Sequence, residues 1–195
     1  AGLAGAEPFA GVPGTVGGAV VMNAGTTLGE AKDLVRSVTL VLPGGEVKVW
    51  TAQQLSFAYR HAAIPQGAVV ATAELALTKD NVLERRQGRQ ELLQRRKRTQ
   101  PLDLPSCGST FTNPEGDYAG RLIEVVGLKG HRIGGASISA KHANFIVNHG
   151  EATAQDILDL IRLARSRVFE KTGILMEPEV RLMGPWPQGS LEISH

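Results

Sequence analysis

The sequence is poor in cysteine and contains no long hydrophobic run. Cys107 is the only cysteine in 195 residues, which excludes an internal disulfide framework and any multi-cysteine metal site. The most apolar stretches are short and interrupted by glycine or charged residues, so none is long enough for a transmembrane helix. The first residues, AGLAGAEPFAGVPG, lack the basic segment and apolar block of a secretory signal. We therefore expect a soluble protein of the reducing cytoplasm with no membrane partner.

The sequence also has few histidines and a small net charge. The five histidines show no H-x-x-x-H pair or other ligand spacing, so we expect no metal site. The formal net charge is only +2, but residues 81–100 hold seven Arg or Lys against two Glu. This basic stretch suits contact with the phosphates of a nucleotide ligand or of RNA, and it equally suits a solvated helix face. The residues alone leave both interpretations open.

The first half predicts a glycine-rich loop followed by a small sheet. Five glycines fall within residues 11–25, too many for a regular helix or strand interior, and we predict a functional loop there. The runs SVTLVLP and EVKVW flank a Gly44-Gly45 turn and predict a β-hairpin, to which residues 68–77 add a third strand. Residues 81–98 carry helix-forming residues and end shortly before Pro101, so they predict a helix at a domain boundary.

The second half predicts two helices among short strands. The stretch AGRLIEVVG indicates a short helix closed by Gly127, and residues 132–148 show the alternation of strands. From Thr153 onward, apolar residues repeat with helical spacing. Asp156 completes a capping box in place of glutamate, and Gly173 suits the C-terminal end of that helix.

The end of the sequence predicts a strand and a tail. ILMEPEVRLMG is typical of a last strand, in which Glu177 and Glu179 would share one face. Residues 185–195 show no periodic pattern, and we expect them to fray.

Two segments are candidates for chemistry on their residues alone. GVPGTVGGA is a plausible phosphate cradle, because residues without Cβ let backbone N–H groups converge on an anion. It matches neither the P-loop nor the Rossmann pattern, so a glycine-rich turn without a ligand is the alternative. Cys107 as a nucleophile, with His142 as base and Glu179 orienting it, has no support from spacing. An isolated cysteine is more often a small buried hydrophobic residue.

Six stretches taken in order resemble the UDP-N-acetylenolpyruvoylglucosamine reductase family. They cover most of residues 3–184 and read GVPGTVGGAVVMNAG, FAYR, KRTQP, SCGSTFTNP with GDYAGRLIEVVGLKG, GGASISAKHANFIVN and MEPEVRLMG. The short interval from FAYR to KRTQP is similar to the branch of the family without the substrate-covering loop. The resemblance begins almost at the second flavin loop, so we expect the N-terminal FAD subdomain to be missing and FAD retention to suffer.

The resemblance implies an α+β fold. It consists of the second half of a vanillyl-alcohol-oxidase-type FAD-binding domain and an α+β C-terminal substrate-binding domain. The implied divisions are residues 1–80 for the FAD-binding subdomain, 81–98 for a basic linker helix, 99–184 for the substrate-binding domain and 185–195 for the tail.

The implied activity is the reduction of UDP-N-acetylglucosamine enolpyruvate to UDP-N-acetylmuramate, in peptidoglycan precursor synthesis, with FAD as cofactor and NADPH as co-substrate. NADPH reduces the flavin, and a hydride then passes to the terminal alkene carbon. By similarity, Arg60 holds the substrate carboxylate, Ser109 gives a proton to the carbon beside it, and Glu179 stabilises the enol-like intermediate. The last role needs a protonated carboxyl, so a raised pKa is expected for Glu179.

Supporting positions carry over from the same motifs. The residues that resemble the flavin contacts are Pro13, Gly14, Thr15, Val16, Gly17, Gly18, Asn23, Ala24 and Gly25. Those that resemble the lining of the UDP-sugar cleft are Tyr59, Asn113, His142 and Asn144. Two positions depart from the family pattern, Thr112 where lysine is usual and His61 where serine is usual. The basic stretch 85–98 is a hypothetical replacement for the lost phosphate contact, and we expect a monomer without a nucleic-acid partner.

Three other functions compete with this prediction. Another FAD-dependent oxidoreductase of the same architecture would share the glycine-rich loop but would not need SCGSTF and PEVR. A domain that binds nucleotide or RNA through the basic stretch would bind in a strongly salt-dependent way. An inactive fragment would bind nucleotide only, without the cofactor.

Overall fold

The computed structural model describes residues 3–79 and 82–191, apart from the side chains of residues 82–85. The chain folds into two compact units, Ala1–Arg95 and Arg96–His195, each with its own apolar core. Both units combine helices with antiparallel sheets, which confirms the predicted α+β class. No helix among the described residues is long and apolar enough to cross a membrane.

The first unit is built around a three-stranded antiparallel sheet. Its elements in chain order are β1 (Leu3–Ala4), α1 (Val16–Val21), β2 (Gly25–Thr26), β3 (Gly29–Glu30), β4 (Val35–Val41), β5 (Val47–Thr51), α2 (Ala52–Leu55), β6 (Val69–Leu75), β7 (Thr78–Lys79) and most of α3 (Val82–Thr99). Strand β4 lies between β5 and β6, which confirms the predicted hairpin and the predicted third strand. Two small pairs, β1 with β7 and β2 with β3, flank this sheet.

The glycine-rich segment does not remain a loop, because residues 16–21 form helix α1. The Thr15 hydroxyl caps this helix by accepting a hydrogen bond from the backbone N–H of Gly18, at 3.1 Å. Val20 is fully buried against the core, and a Cβ on Gly17 would lie 3.4 Å from the carbonyl oxygen of Val70 in β6. The prediction was wrong here because a cap and close packing offset the poor helix propensity of glycine.

The second unit packs two helices on a four-stranded antiparallel sheet. Its elements are β8 (Ser106–Ser109), α4 (Ala119–Val125), β9 (Arg132–Ile133), β10 (Ala136–Ile138), β11 (Phe145–Asn148) and α5 (Ala154–Thr172), and the strands lie in the order β8-β11-β10-β9. Helix α5 confirms the most detailed prediction. Thr153 and Asp156 form the reciprocal capping box, and Gly173 ends the helix with a left-handed φ of 72°.

The segment after α5 is not the predicted strand. It makes a single bridge, between Phe111 and Pro178, instead of a ladder. The bridge does not extend to a full Thr110–Glu179 pair. The backbone N–H of Thr110 donates to the carbonyl of Asn144 at 2.8 Å, so it cannot also donate to the carbonyl of Glu179. The local sequence does not reveal that competition.

The predicted fraying of the tail is also wrong as far as Leu191. The Ser190 carbonyl accepts a hydrogen bond from Nε of Arg162 at 2.8 Å, and Leu191 packs against the core of the second unit. One leucine after two prolines gives no periodic signal, although its packing and the Arg162 hydrogen bond hold this part of the chain. Residues 192–195 lie outside the described residues.

Candidate functional site

The predicted flavin loop presents a short row of backbone donors. Residues 13–16 are exposed, and the backbone N–H groups of residues 14–17 donate no hydrogen bond to any of the described residues. The first-turn amides of a helix have no partner within the helix and can bind an anion. Gly14 has a φ of 133° and nothing within 4 Å of where its Cβ would be, so this backbone is open to a ligand. The segment therefore fits a phosphate-bearing group.

Asn23, a predicted cofactor contact, is fully buried and serves as an internal clamp. Its side-chain amide donates to the carboxylate of Glu30 at 3.0 Å and to the carbonyl of Ala58 at 2.9 Å. Its side-chain oxygen accepts the backbone N–H of Lys32 at 2.9 Å. Both amide protons are thus engaged within the protein, and any contact with a cofactor would come from the backbone of this residue. The role as a cofactor contact stays a prediction.

Gly25 has a structural reason to lack a side chain. A Cβ there would lie 2.8 Å from Cα and Cγ of Glu30 on the paired strand β3. We predict that Gly25→Ala lowers the free energy of unfolding by about 1–3 kcal/mol, as forced overpacking does. Chemical denaturation measures the change. Gly44→Ala is the control, because a Cβ added at Gly44 would have no atom of another residue beyond its chain neighbours within 4 Å. Equal stability of the two variants would show that β3 yields to the added methyl group.

Tyr59 and Arg60 stand at the tip of a tight turn. Ala58 and His61 close the turn with reciprocal backbone hydrogen bonds of 3.0 and 3.2 Å. Arg60 adopts a φ of 55°, a left-handed conformation uncommon for a residue with a side chain. Its guanidinium carbon lies 4.9 Å from the centroid of the half-exposed Tyr59 ring, within cation–π distance. His61, the departure from the family pattern, closes the turn through its backbone N–H and carbonyl.

A β-bulge in the second unit sets the direction of Ser109. Ser109 pairs with Phe145, and Ser106 pairs with Val147, so two residues of β8 lie opposite one residue of β11. Gly108, inside the bulge, has a φ of 83° that favours glycine. Bulges of this kind turn a side chain away from the regular alternation of the strand. The SCGS motif therefore determines the conformation that aims the Ser109 hydroxyl.

Glu179 lies close to the continuation of the same strand. Its backbone N–H donates to the carbonyl of Thr110 at 2.9 Å, and Glu177 accepts the backbone N–H of Thr112 at 3.0 Å. The structure thus brings two of the three predicted catalytic residues, Ser109 and Glu179, to neighbouring positions in one unit. Arg60 belongs to the other unit. Thr112, the second departure, also donates its hydroxyl to the Glu177 carbonyl at 3.3 Å and helps to fix this segment.

Cys107 is not the predicted small buried residue, because it is exposed. Desolvation of the thiol raises its pKa, and the carboxylate of Glu179 raises it further. A raised pKa disfavours the thiolate that nucleophilic catalysis requires. A covalent mechanism through Cys107 therefore gains no support.

Asn144 and His142, predicted to line the substrate cleft, have different surroundings. The buried Asn144 side chain accepts the backbone N–H of Phe111 at 3.0 Å and donates to its carbonyl at 2.8 Å, so it supports the strand that carries Ser109. His142 is half-buried, and desolvation lowers its pKa. Its Nδ1 accepts the backbone N–H of Asn144 at 3.2 Å, which places the proton of the neutral ring on Nε2. His142 can thus donate one hydrogen bond to a ligand.

Asn113, the last predicted cleft residue, precedes α4 and holds the first residue of that helix. Its side-chain oxygen accepts the backbone N–H of Ala119 at 3.1 Å. In the same turn, Asp117 accepts the backbone N–H of Tyr118 at 2.6 Å and pairs with Arg121 through two nitrogens. The hydrogen bond from Arg121, followed by that from the Tyr118 amide, lowers the pKa of Asp117 to about 2.

This pKa gives a pH-dependent prediction for stability. Because the carboxyl pKa is depressed in the folded state, its contribution is present above roughly pH 4 and is lost as the pH falls toward 2. Asp117→Asn should lower the thermal midpoint at about pH 7 and have a smaller effect near pH 2. Asp103→Asn, which removes an exposed carboxylate, is the control for thermal unfolding measured at both pH values. A loss of equal size at the two pH values would contradict the prediction.

Sequence reasoning missed two supporting residues. Glu30, which bonds Asn23, carries no motif, because its partners are distant in sequence. Arg165 of α5 is buried, and its Nε donates to the Met176 carbonyl at 2.9 Å, which anchors the chain just before Glu177. An arginine on the apolar face of a helix was the available signal. Among the described residues, no group of three His, Cys, Asp or Glu is arranged to hold a metal ion.

Comparisons with known proteins agree on one family for both units. The model described as UDP-N-acetylenolpyruvoylglucosamine reductase, C-terminal domain, matches residues 100–183, and the model described as FAD binding domain matches residues 1–51. Among curated relatives, the UDP-N-acetylenolpyruvoylglucosamine reductase of Anaeromyxobacter dehalogenans strain 2CP-C is 55% identical over 190 residues, which are 97% of this chain and 57% of the relative. That of Methylococcus capsulatus is 51% identical, over 92% of this chain and 59% of the relative.

A solved structure shares the fold. The crystal structure of UDP-N-acetylenolpyruvylglucosamine reductase (MurB) from Thermus caldophilus matches with a TM-score of 0.83 and 41% sequence identity, covering 95% of this chain and 65% of that one. The chain spans somewhat under two thirds of the length of the curated relatives described above.

Proposed function

Because the chain belongs to the UDP-N-acetylenolpyruvoylglucosamine reductase family, we propose that it reduces UDP-N-acetylglucosamine enolpyruvate to UDP-N-acetylmuramate. FAD is its cofactor and NADPH its co-substrate. The observation that carries the proposal is the pairing of the segment 177–179 with the strand that follows the Ser109 bulge. The backbone positions of Ser109 and Glu179 are thereby near one another in one unit, which supports a shared role in protonating the substrate. We further propose that the protein acts as a monomer in the cytoplasm, in peptidoglycan precursor synthesis.

The cofactor would be held by the first unit. Within the part of the chain that the structure describes, the backbone N–H groups of residues 14–17 have no acceptor and suit the pyrophosphate, and residues 23–25 follow shortly after α1. When bound, FAD supplies the hydride-transfer chemistry that no amino-acid side chain provides.

The residues of the chain would bind and protonate the substrate. Arg60 presents a guanidinium fork that matches a carboxylate and stabilises the negative charge that develops there during reduction. Ser109 gives its proton to the carbon next to that carboxylate, a transfer that depends on the alignment set by the bulge. Glu179 donates a hydrogen bond to the intermediate when its carboxyl is protonated, and the neutral His142 ring offers a further N–H to the sugar nucleotide.

Product analysis tests the proposal. The full chain is incubated with FAD, NADPH and UDP-N-acetylglucosamine enolpyruvate, and the sugar nucleotide is analysed by mass spectrometry. The proposal expects a product with two additional hydrogen atoms, one from NADPH through the cofactor and one from solvent through Ser109. Unchanged substrate in the presence of protein saturated with FAD would reject it.

A further inference from the structure

The Tyr59–Arg60 turn is tied to an acidic residue that lies about thirty positions earlier in the chain. One side-chain amide, that of the buried Asn23, donates both to Glu30 at 3.0 Å and to the carbonyl of Ala58 at 2.9 Å. The hydrogen bond to Ala58 holds the first residue of the turn, and the hydrogen bond to Glu30 holds the carboxylate beside the turn. Asn23 therefore fixes the distance between the Glu30 side chain and the turn that carries Arg60.

The Glu30 carboxylate is held in a defined orientation. Its Oε2 takes the Asn23 hydrogen bond and also contacts Nζ of Lys32 at 2.8 Å, while Oε1 lies 4.0 Å from Nη1 of Arg60. The backbone N–H of Glu30 is bound in turn by the side chain of Asp33 at 2.8 Å. With its partners on both sides, this carboxylate does not rotate freely as a surface side chain would.

Arg60 needs such support because its side chain is long and its backbone is strained. The left-handed φ of 55° persists only where surrounding contacts hold it, and the turn receives one of these from Asn23. The guanidinium lies against the Tyr59 ring and near the Glu30 carboxylate, and only 23% of the Arg60 side chain is exposed. The separation of 4.0 Å is that of a long ion pair, without the short parallel hydrogen bonds of a bidentate one.

We propose that Glu30, held by Asn23, is a positioning residue that orients the guanidinium of Arg60 for the substrate carboxylate. The proposal rests on the proposed function only for the meaning of that orientation. The orientation itself is a property of the first unit. The Glu30 carboxylate lies 4.0 Å from the Arg60 guanidinium, so its loss should change where the guanidinium lies without removing the guanidinium.

Side-chain NMR of the full chain tests the orientation without turnover. The Arg60 Nε–Hε resonance is assigned from its absence in Arg60→Lys. In Glu30→Gln we expect this resonance to shift, because the carboxylate that lies 4.0 Å from Nη1 of Arg60 has lost its charge and no longer orients the guanidinium. Glu46→Gln, which removes an exposed carboxylate paired with Lys48 in the same unit, should leave the resonance unchanged. An Arg60 resonance identical in Glu30→Gln and the wild type would overturn the proposal.

Kinetics then test what the orientation does. Glu30→Gln should lower kcat with the enolpyruvyl ether by about tenfold to a hundredfold, the scale of a slight misplacement of a catalytic group, with the KM for NADPH nearly unchanged. Glu30→Asp keeps the charge but moves it away from Arg60, so its kcat should lie between those of the wild type and Glu30→Gln. It also replaces Glu30→Gln if that variant does not fold.

The outcomes separate this inference from the proposed function. Wild-type protein without turnover rejects the proposed function, while the NMR result still decides whether Glu30 orients Arg60. A displaced Arg60 resonance together with unchanged kcat would overturn the positioning role. An equal loss of rate in Glu30→Gln and Glu46→Gln would overturn it too, because it would reflect a general effect of charge.

Discussion

Replacing Arg60 by Met is expected to lower kcat for the enolpyruvyl ether by at least about 10²–10³-fold, as the loss of one strong donor to a developing oxyanion does. Methionine keeps an unbranched apolar chain beside the Tyr59 ring but removes the charge and all five N–H donors. The substrate carboxylate then loses its stabilisation in the transition state, where its charge is greatest. Steady-state oxidation of NADPH at saturating substrate measures the loss.

Two further variants define this effect. Arg36→Met removes an exposed arginine from β4 of the same unit and should retain wild-type kcat. Arg60→Lys keeps a positive charge without the planar fork, so it should recover only part of the rate. Wild-type kcat in Arg60→Met, in protein that remains folded, would remove Arg60 from the reaction.

Ser109→Ala is expected to lower kcat by about 10²–10⁴-fold, the usual contribution of a positioned proton donor. The backbone of the bulge should survive, because the phi angle that it needs belongs to Gly108 and not to Ser109. Binding of the sugar nucleotide should therefore change little, and the loss should appear in kcat and not in KM. Single-turnover formation of the reduced sugar nucleotide measures it directly.

The matched control is Ser106→Ala, three residues earlier on the same strand. Ser106 is exposed, and its hydroxyl accepts only a long hydrogen bond of 3.5 Å from the backbone N–H of Gly108, so its loss should lower kcat far less than the loss of Ser109. Equal rates for Ser109→Ala and Ser106→Ala would assign the proton transfer to another group, such as a water molecule.

Local sequence signals predicted the regular elements well. Helix α5 begins at Thr153 with a capping box and ends at Gly173, because the determinants of both ends lie within a few residues of them. The hairpin of β4 and β5 likewise follows from alternating apolar residues around a glycine turn. Such features depend on neighbours in sequence, so no knowledge of tertiary structure is required.

Features that depend on distant partners escaped prediction. Helix α1 forms in a glycine-rich segment because it packs on β6, and the expected last strand fails because Asn144 already takes the amide of Thr110. The family motifs identified Arg60, Ser109 and Glu179 as candidates, and their roles stay predictions. The Asn23–Glu30 clamp is invisible in those motifs, because its hydrogen bonds join residues that no local pattern connects.

The central claim is that this chain couples NADPH, FAD and the enolpyruvyl ether through Arg60. An anaerobic visible titration tests it most directly. In the wild-type protein, flavin absorbance near roughly 450 nm should be lost on adding NADPH and regained on adding UDP-N-acetylglucosamine enolpyruvate. Arg60→Met should also lose the absorbance with NADPH, but it should regain it far more slowly with the enolpyruvyl ether. Protein that takes up no flavin, or that regains the absorbance at the same rate with and without the enolpyruvyl ether, would contradict the claim.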